Sequence, residues 1–409
     1  MPETPETEDL EKERSAKTQK HNELSAAIEK FSLYSGDPAS RMFDRLAKMS
    51  KGAHRARHRA LIVFFAGWGL ICILTIFSGS AIGFDGAFLG DLNAFSRYAL
   101  AAPLLMLMDR RIDAQLRLYL DHFADAPLIA PYAMKDAAIE ITAAIDRASG
   151  ILPFVLCAAL AYVLVLVGQS FGGISLPDWR YIGPPEDIRL TVAAWWAALI
   201  AAPLFWFLVL RAFWRYLVWS RLLRQLAHLD LRLVVTHTDG AGGLGFLGRH
   251  PNIFSALIFA LAIAFAGAVA QELNAGQLSP QAYGWLLTVW VAVTALLFAI
   301  PLSAFQAPLS ELKRKTRFAA ATRSTLVLRA QERDVFGRNL AAPNDDENPG
   351  VLMDATKLDD AAKKMRTIPF SRETIAPLIG AALLPLLAAG ATQIPIKELF
   401  GAAKKLLLL

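Results

Sequence analysis

The chain reads as an all-α, polytopic transmembrane helix bundle, and three features of its sequence say so. Of its 409 residues, 55 % are hydrophobic and only 19 % are charged, against roughly 25 % charged in soluble domains. Apolar runs close to the ~20 residues that a hydrocarbon core requires recur along its length. Lys and Arg crowd the connections on one side of those runs and are scarce on the other, the asymmetry that sets membrane orientation.

Seven runs are expected to cross: Ala60 to Phe77, Leu92 to Met108, Ile151 to Val167, Leu190 to Leu210, Ile253 to Ala270, Trp285 to Phe305 and Thr374 to Ile394. The first is long enough to span rather than to serve as a short signal segment, so it is expected to stay in the mature chain. "KGAHRARHR" (Lys51 to Arg59) precedes it, and "DRRIDAQLR", "RAFWRYLVWSRLLR" and "ELKRKTR" follow the second, fourth and sixth runs. Ser78 to Asp91 and Gln271 to Gly284 contain no Lys or Arg. The N-terminus and the long polar segments are therefore expected on the cytoplasmic side. The seventh run would leave Lys397, Lys404 and Lys405 on the far side if it spans; a re-entrant or interfacial hairpin broken at Pro385 and Pro395 is the lesser alternative.

The runs divide the chain into hairpins at 60–108, 151–210 and 253–305, with a last span or re-entrant hairpin at 374–409. Residues 1–59 open on the acidic "MPETPETEDLEKE", too poor in apolar residues to bury a core, and are expected to be partly disordered. Within 109–150, Ile112, Leu116, Tyr119, Leu120, Phe123, Ile141 and Ile145 recur at helical spacing, and "ADAPLIAP" separates two amphipathic cytoplasmic helices. Residues 211–252 form a helix extension and a Gly-rich loop. Residues 306–373 hold a basic helix, a solvated acidic linker "APNDDENPG" and a short helix.

Several function classes drop out at this stage. Cys72 and Cys157 both lie in apolar runs and give neither a disulfide framework nor a metal spacing. The formal charge of +6 belongs to span-flanking residues and lipid headgroups, with no nucleic-acid motif beside it. No cofactor, resident metal or calcium loop is expected. Only Arg97 lies inside a run, near enough to its end to snorkel, which disfavours an ion-driven pump.

A repeat is suggested by "AAPLL", "AAPLF" and "AIPLS", whose prolines Pro103, Pro203 and Pro301 are spaced by 100 and 98 residues. Each lies in a return helix that runs on into a basic cytoplasmic segment, the kind of kinked element found in transporter repeats.

The densest constellation is "THTDGAGGLGFLG", Thr236 to Gly248. Upstream, Arg221, Arg224, His228 and Arg232 follow helical spacing and form a basic stripe suited to lipid phosphates, with Trp214, Tyr216 and Trp219 where an aromatic belt would lie. Gly243, Gly245 and Gly248 match GxGxxG, but a span follows instead of a βαβ unit. In one reading the loop is a ligand or gating site. The amides of Gly240, Gly242, Gly243, Gly245 and Gly248 wrap an anion, with His237, Arg232 and Arg249 supplying charge or hydrogen bonds and Asp239 orienting His237 or, with His250, giving a thin metal alternative. In the other, Asp239 and Gly240 make a turn, the glycines allow close reversal of the chain, and Leu244, Phe246 and Leu247 plug the bundle mouth.

The stretch "FWFLVLRAFWRYLVWSRLLRQLAHLDLRLVVTHTDGAGGLGFLG", with "RYALAAPLLMLMDRRID" and "IPFSRETIAPLIGAALLPLLAAGATQIPIKELF", resembles a family of uncharacterised bacterial multi-span inner-membrane proteins that carry a THPDxAGGLGFLG-like motif. The likeness covers most of the chain beyond residue 60. This sequence departs from it at Thr238, where proline is usual, and at Gly240, where a basic residue is often found; that loss weakens the anion reading of the loop. The resemblance implies a bacterial inner-membrane location and no established activity.

Two functional expectations follow. The first is a transport or channel-like protein for a small solute or lipid, with the Gly-rich loop as its binding or gating element. The second is a non-catalytic scaffold or sensor that recruits a soluble partner through its cytoplasmic helices. A membrane-surface enzyme using His237 and Asp239 is the weaker third, since no nucleophile completes the set. The partners expected are membrane lipids, a soluble protein and further copies of the chain, without nucleic acid.

Overall fold

A computed structural model describes residues 18–34, 36–46, 54–82, 87–170, 178–182, 189–341, 356–369 and 372–391. Among the described residues 80 % are helical. In chain order the helices are α1 (18–29), α2 (Pro38–Leu46), α3 (His54–Phe64), α4 (Leu70–Phe77), α5 (Leu92–Ala94), α6 (Ala102–Asp125), α7 (Met134–Ser149), α8 (Ile151–Ser170), α9 (Val192–Trp196) and α10 (Ala202–Ala227). They continue with α11 (His250–Ile253), α12 (Ser255–Asn274), α13 (Pro280–Ser303), α14 (Gln306–Phe336), α15 (Thr356–Lys364) and α16 (Arg372–Gly390). Among the described residues the only ladder pairs β1 (Tyr181–Ile182) with β2 (Arg189–Leu190).

Five helical stretches are long and apolar enough to cross a membrane: Ala56–Phe77, Ile151–Gly168, Val192–Ala227, Gly245–Asn274 and Pro280–Ser303. This is a multi-pass membrane protein. Two of the seven expected runs fall outside that set for different reasons. The run at 92–108 is helical but carries Arg97 and passes directly into the charged length of α6. The run at 374–394 yields a shorter apolar helix, Ala376–Gly390, which packs along α12 and α13. There Tyr283 donates to the Leu386 carbonyl (2.7 Å) and the Trp290 indole to that of Ala382 (3.1 Å).

Three of the apolar runs contain a π-helical turn: Phe65–Gly69 between α3 and α4, Phe95–Ala101 before α6, and Ala197–Ala201 before α10. The last two end one residue before Ala102-Pro103 and Ala202-Pro203. A proline has no N–H and crowds the carbonyl four residues back, and the wider turn relieves that crowding. Carbonyls at these sites find side-chain donors on neighbouring helices, as they must in a dry interior. Tyr162 donates to Leu199 O (3.1 Å), four residues before Pro203; Tyr216 donates to Leu297 O (2.5 Å), four before Pro301; the Trp196 indole donates to Ala66 O (2.9 Å). Pro301 lies inside a regular helix, so the suggested repeat shares a π turn in two of its three members.

The polar N-terminal segment departs from expectation. Residues 1–17 lie outside the described residues, but over 18–46 the chain folds, and Leu24, Ile28, Phe31, Leu33, Tyr34 and Phe43 are buried in the main core. Asp113 of α6 ties this segment down, accepting hydrogen bonds from Ser32 Oγ, Leu33 N (2.9 Å) and Tyr34 N (3.1 Å). Burial pushes the Asp113 carboxyl up, the hydrogen bonds from Ser32 and Leu33 only partly offsetting it. The linker 342–350 also lies outside the described residues.

At the end of the bundle opposite to this segment, Asp91 caps α5 through Ala94 N (2.9 Å) and accepts the indole N–H of the fully buried Trp179 (3.0 Å).

Candidate functional site

The Gly-rich loop is a tightly closed turn. Gly240, Gly242 and Gly243 take positive φ. The Asp239 carboxylate folds over the turn and accepts the amides of Ala241 (2.8 Å), Gly243 (3.2 Å) and Gly245 (2.7 Å). The nest of amides that could receive an anion is thus filled by the chain's own carboxylate. Gly245 has to be glycine for this, since a Cβ there would stand 2.7 Å from Asp239 Cβ. Burial raises the Asp239 carboxyl, but the amides of Ala241, Gly245 and Gly243 and the His237 ring together outweigh it and hold it below the ordinary carboxylate range. His237 Nδ1 lies 2.9 Å from Asp239 Oδ1 on an imidazole that is half exposed.

The turn is locked onto three other parts of the chain. Leu231 bridges Ile129 in the α6–α7 connection, where Ala130 N donates to Asp230 O (3.0 Å) and Arg232 N to Leu128 O (2.7 Å). Arg366, just past α15, donates its amide to Gly240 O (2.8 Å) and its guanidinium to Asp239 O (2.9 Å). Gly242 lies against Met365 and Leu309. Gly248 is buried in a short 3-10 turn, Gly245–Arg249, and Arg232 and Arg249 are exposed.

His250 is not part of this group. Its ring is fully buried among Tyr216, Trp219, Phe254 and Phe298, with neither nitrogen hydrogen-bonded. No group of three His, Cys, Asp or Glu among the described residues could hold a metal ion. Arg221, Arg224 and His228 are exposed along α10 and its cap, but the helix ends at Ala227, so Arg232 does not extend the stripe. Tyr216 and Trp219 are core residues rather than an aromatic belt, and Trp214 donates to Arg147 O (3.2 Å).

The group that sequence reading did not assemble lies on the other face of α10. Arg211 and Arg215, one turn apart, are almost completely buried. Arg211 donates from Nε to Asp37 Oδ2 (2.9 Å), from Nη1 to Asp109 Oδ2 (2.8 Å) and from Nη2 to Ser40 Oγ (3.0 Å). Arg215 places Nη2 2.9 Å from Asp37 Oδ2 and Nη1 3.5 Å from Asp109 Oδ2, and its guanidinium lies 4.5 Å over the Tyr34 ring. Neither Nη of Arg215 makes a hydrogen bond of good geometry. Asp37 also accepts the Ser40 amide (3.0 Å) in the first turn of α2. Burial works to raise the Asp37 carboxyl, and the Arg211 and Arg215 guanidinium groups outweigh it, holding it far below the usual carboxylate range.

Two cations and two anions leave this buried quartet neutral, which is what allows it to be buried at all. Three of its members, Asp37, Arg211 and Arg215, also form one wall of a narrow cleft between the start of α8 and the stretch of α10 from Phe207 to Arg215. The other walls are apolar: Pro153, Phe154, Cys157, Phe207 and Trp214. The free space inside the cleft is about 20 Å3, room for about one water, so it is a narrow mouth rather than a formed small-molecule pocket.

Helical phase was the available signal for these arginines. At about 100° per residue, Arg211 and Arg215 share the arc of Leu208, Leu222 and Leu226, whereas Arg221, Arg224 and His228 fall on the opposite side. No signal in the sequence points to Asp37 as their partner.

Comparison of the chain with family models, with curated proteins and with solved structures finds no match.

Proposed function

We propose that the protein is transport-like and admits an amphiphilic solute or lipid from one membrane leaflet, receiving its polar end in the cleft between α8 and α10. The observation that carries this is the cleft itself: an ionic wall of Asp37, Arg211 and Arg215 facing apolar walls from α8 and α10. An amphiphile has the same division of chemistry. The Gly-rich loop serves as a rigid latch for the adjoining helices, because its own amides are already satisfied by Asp239. The leaflet is taken as cytoplasmic and the membrane as a bacterial inner membrane, supported by the basic ends of α6, α10 and α14 and by the resemblance of the motif.

The test is thermal unfolding in nanodiscs across phosphorylated metabolites, nucleotides, metals and lipids, beside Phe154→Trp, which fills the cleft. A ligand at a hundred times its dissociation constant adds about 2.7 kcal/mol to the folded state. Stabilisation by an amphiphile that Phe154→Trp removes supports the reading; stabilisation by none of the panel rejects it.

The scaffold reading rests on a different observation. α14 is 31 residues long, with Phe318, Leu328, Val335 and Phe336 exposed and only Leu309 and Ala320 fully buried. Under that reading, deleting 318–336 releases a soluble partner and leaves ligand-dependent unfolding unchanged.

A further inference from the structure

We propose that Arg211 and Arg215 form an oxyanion site for a phosphate group that enters through the cleft, and that Asp37 is its internal occupant, holding the site closed. The proposal rests on the amphiphile reading above and narrows it to anionic compounds.

The two guanidinium groups sit one turn apart on a rigid helix, the spacing at which both can face one tetrahedral oxyanion. Asp109 belongs to the bundle proper, on α6, and supplies one fixed negative charge. The second comes from a different kind of element. Asp37 lies in the N-terminal segment, held to the bundle through Ser32, Leu33 and Tyr34 on Asp113 and through Phe31 against Trp219. Its Oδ2 lies 2.9 Å from both arginines, and of the two its Oδ1 accepts only from Arg211, through Nη2 at 3.4 Å. A phosphate offers three or four oxygens where the carboxylate offers two, and it would engage the Arg215 nitrogens that now make no hydrogen bond of good geometry. With Asp37 withdrawn the remaining charges sum to +1, and an anion restores neutrality. Cys157 lines the same cleft and is a free thiol, so occupancy can be read at the site itself.

The experiment measures the rate of Cys157 alkylation by N-ethylmaleimide in full-length Cys72→Ala protein, with and without Asp37→Asn. Four settings are compared: detergent, phosphatidylcholine nanodiscs, the same nanodiscs with inorganic phosphate, and nanodiscs containing phosphatidylglycerol. The expected result is that Asp37→Asn gains protection of at least tenfold from an anion, and that adding Arg215→Gln removes it. Protection by inorganic phosphate identifies a soluble oxyanion as the source, and protection by phosphatidylglycerol alone identifies a lipid headgroup. Equal protection in both nanodisc types relative to detergent overturns the oxyanion site and leaves the amphiphile reading standing; no protection in any setting overturns both. Should Asp37→Asn fail to fold, the Cys72→Ala chain is titrated with phosphatidylglycerol beside Arg215→Lys. Alkylation that slows with the anionic fraction and responds to Arg215→Lys supports the site, and alkylation indifferent to either overturns it.

Discussion

Gly267 of α12 packs directly against Ser96: a Cβ at Gly267 would stand 2.5 Å from Ser96 Cβ and 2.7 Å from the Leu92 carbonyl. Small residues let membrane helices approach to backbone contact, and here the approach joins α12 to the π turn before α6. Gly267→Ala is expected to lower stability by about 1–3 kcal/mol through overpacking, measured as the unfolding midpoint in nanodiscs. Adding Ser96→Gly should recover only part, because the Leu92 carbonyl stays in place. A neutral Gly267→Ala would show that the helices can separate there.

Tyr216 and Pro301 form a second testable pair. Tyr216→Phe leaves Leu297 O without its donor in a dry interior and should cost about 1–3 kcal/mol. Pro301→Ala returns a backbone N–H to that carbonyl, so the cost of Tyr216→Phe should shrink in its presence. Additive effects in this cycle would mean that the tyrosine does not serve the proline.

Asp239 should matter far more than His237. Asp239→Ala removes the acceptor of three amides, each such bond to a charged group contributing about 1.5–3 kcal/mol, whereas His237→Ala at a half-exposed site should stay within about 0.5 kcal/mol. Because the folded carboxyl lies below its unfolded value, its contribution is present above about pH 4 and is lost as pH falls through the folded value. Unfolding of wild type and Asp239→Ala should therefore converge in acid. Equal sensitivity of the two variants at pH 7 would contradict the turn's dependence on the carboxylate.

Breaking the ionic quartet should be severe. Asp109→Ala leaves buried cations short of one partner and is expected to cost about 3–5 kcal/mol. Replacing the Asp109–Arg211 pair together by Asn and Met should cost less than the single change, as read by denaturation in detergent.

His250 makes no hydrogen bond inside its aromatic cage. His250→Phe should be neutral or stabilising, since it removes two unsatisfied polar atoms at similar size, while His250→Ala should cost about 2–5 kcal/mol for the cavity. A large loss with Phe would imply that the imidazole has a role beyond packing.

The membrane fold was legible because apolar runs report it directly: each of the five long apolar helices overlaps an expected span. The run at 374–394 was harder to read because Pro377 and Pro385 sit within it and the apolar helix among its described residues covers 15 positions. The buried part of the N-terminal segment was not legible because composition averaged over 59 residues hides the helical spacing of Leu24, Ile28 and Phe31 behind an acidic leader. The glycines of the loop announced a turn, and Gly243 and Gly245 do sit where a side chain would collide. What no local pattern carries is that Asp239 fills the turn, or that residues 37, 109 and 211 meet. The Asp239 contacts are local but depend on the φ values of the glycines, whereas those of Arg211 with Asp109 and Asp37 span 102 and 174 positions and are decided by how the helices pack.

The separation of Asp37 from Arg211 also imposes an order on biosynthesis. Their 174-residue spacing means that, at roughly 5–20 residues per second, about 9 to 35 s pass between the emergence of the two side chains. For that interval the amino-terminal helices have no arginine pair to close against. The third of the five long apolar stretches, once made, brings in two guanidinium groups with only α6 able to neutralise one of them. The start of the chain completes its docking after the middle has been inserted, so truncated translation products that stop before residue 211 should leave that start accessible to protease.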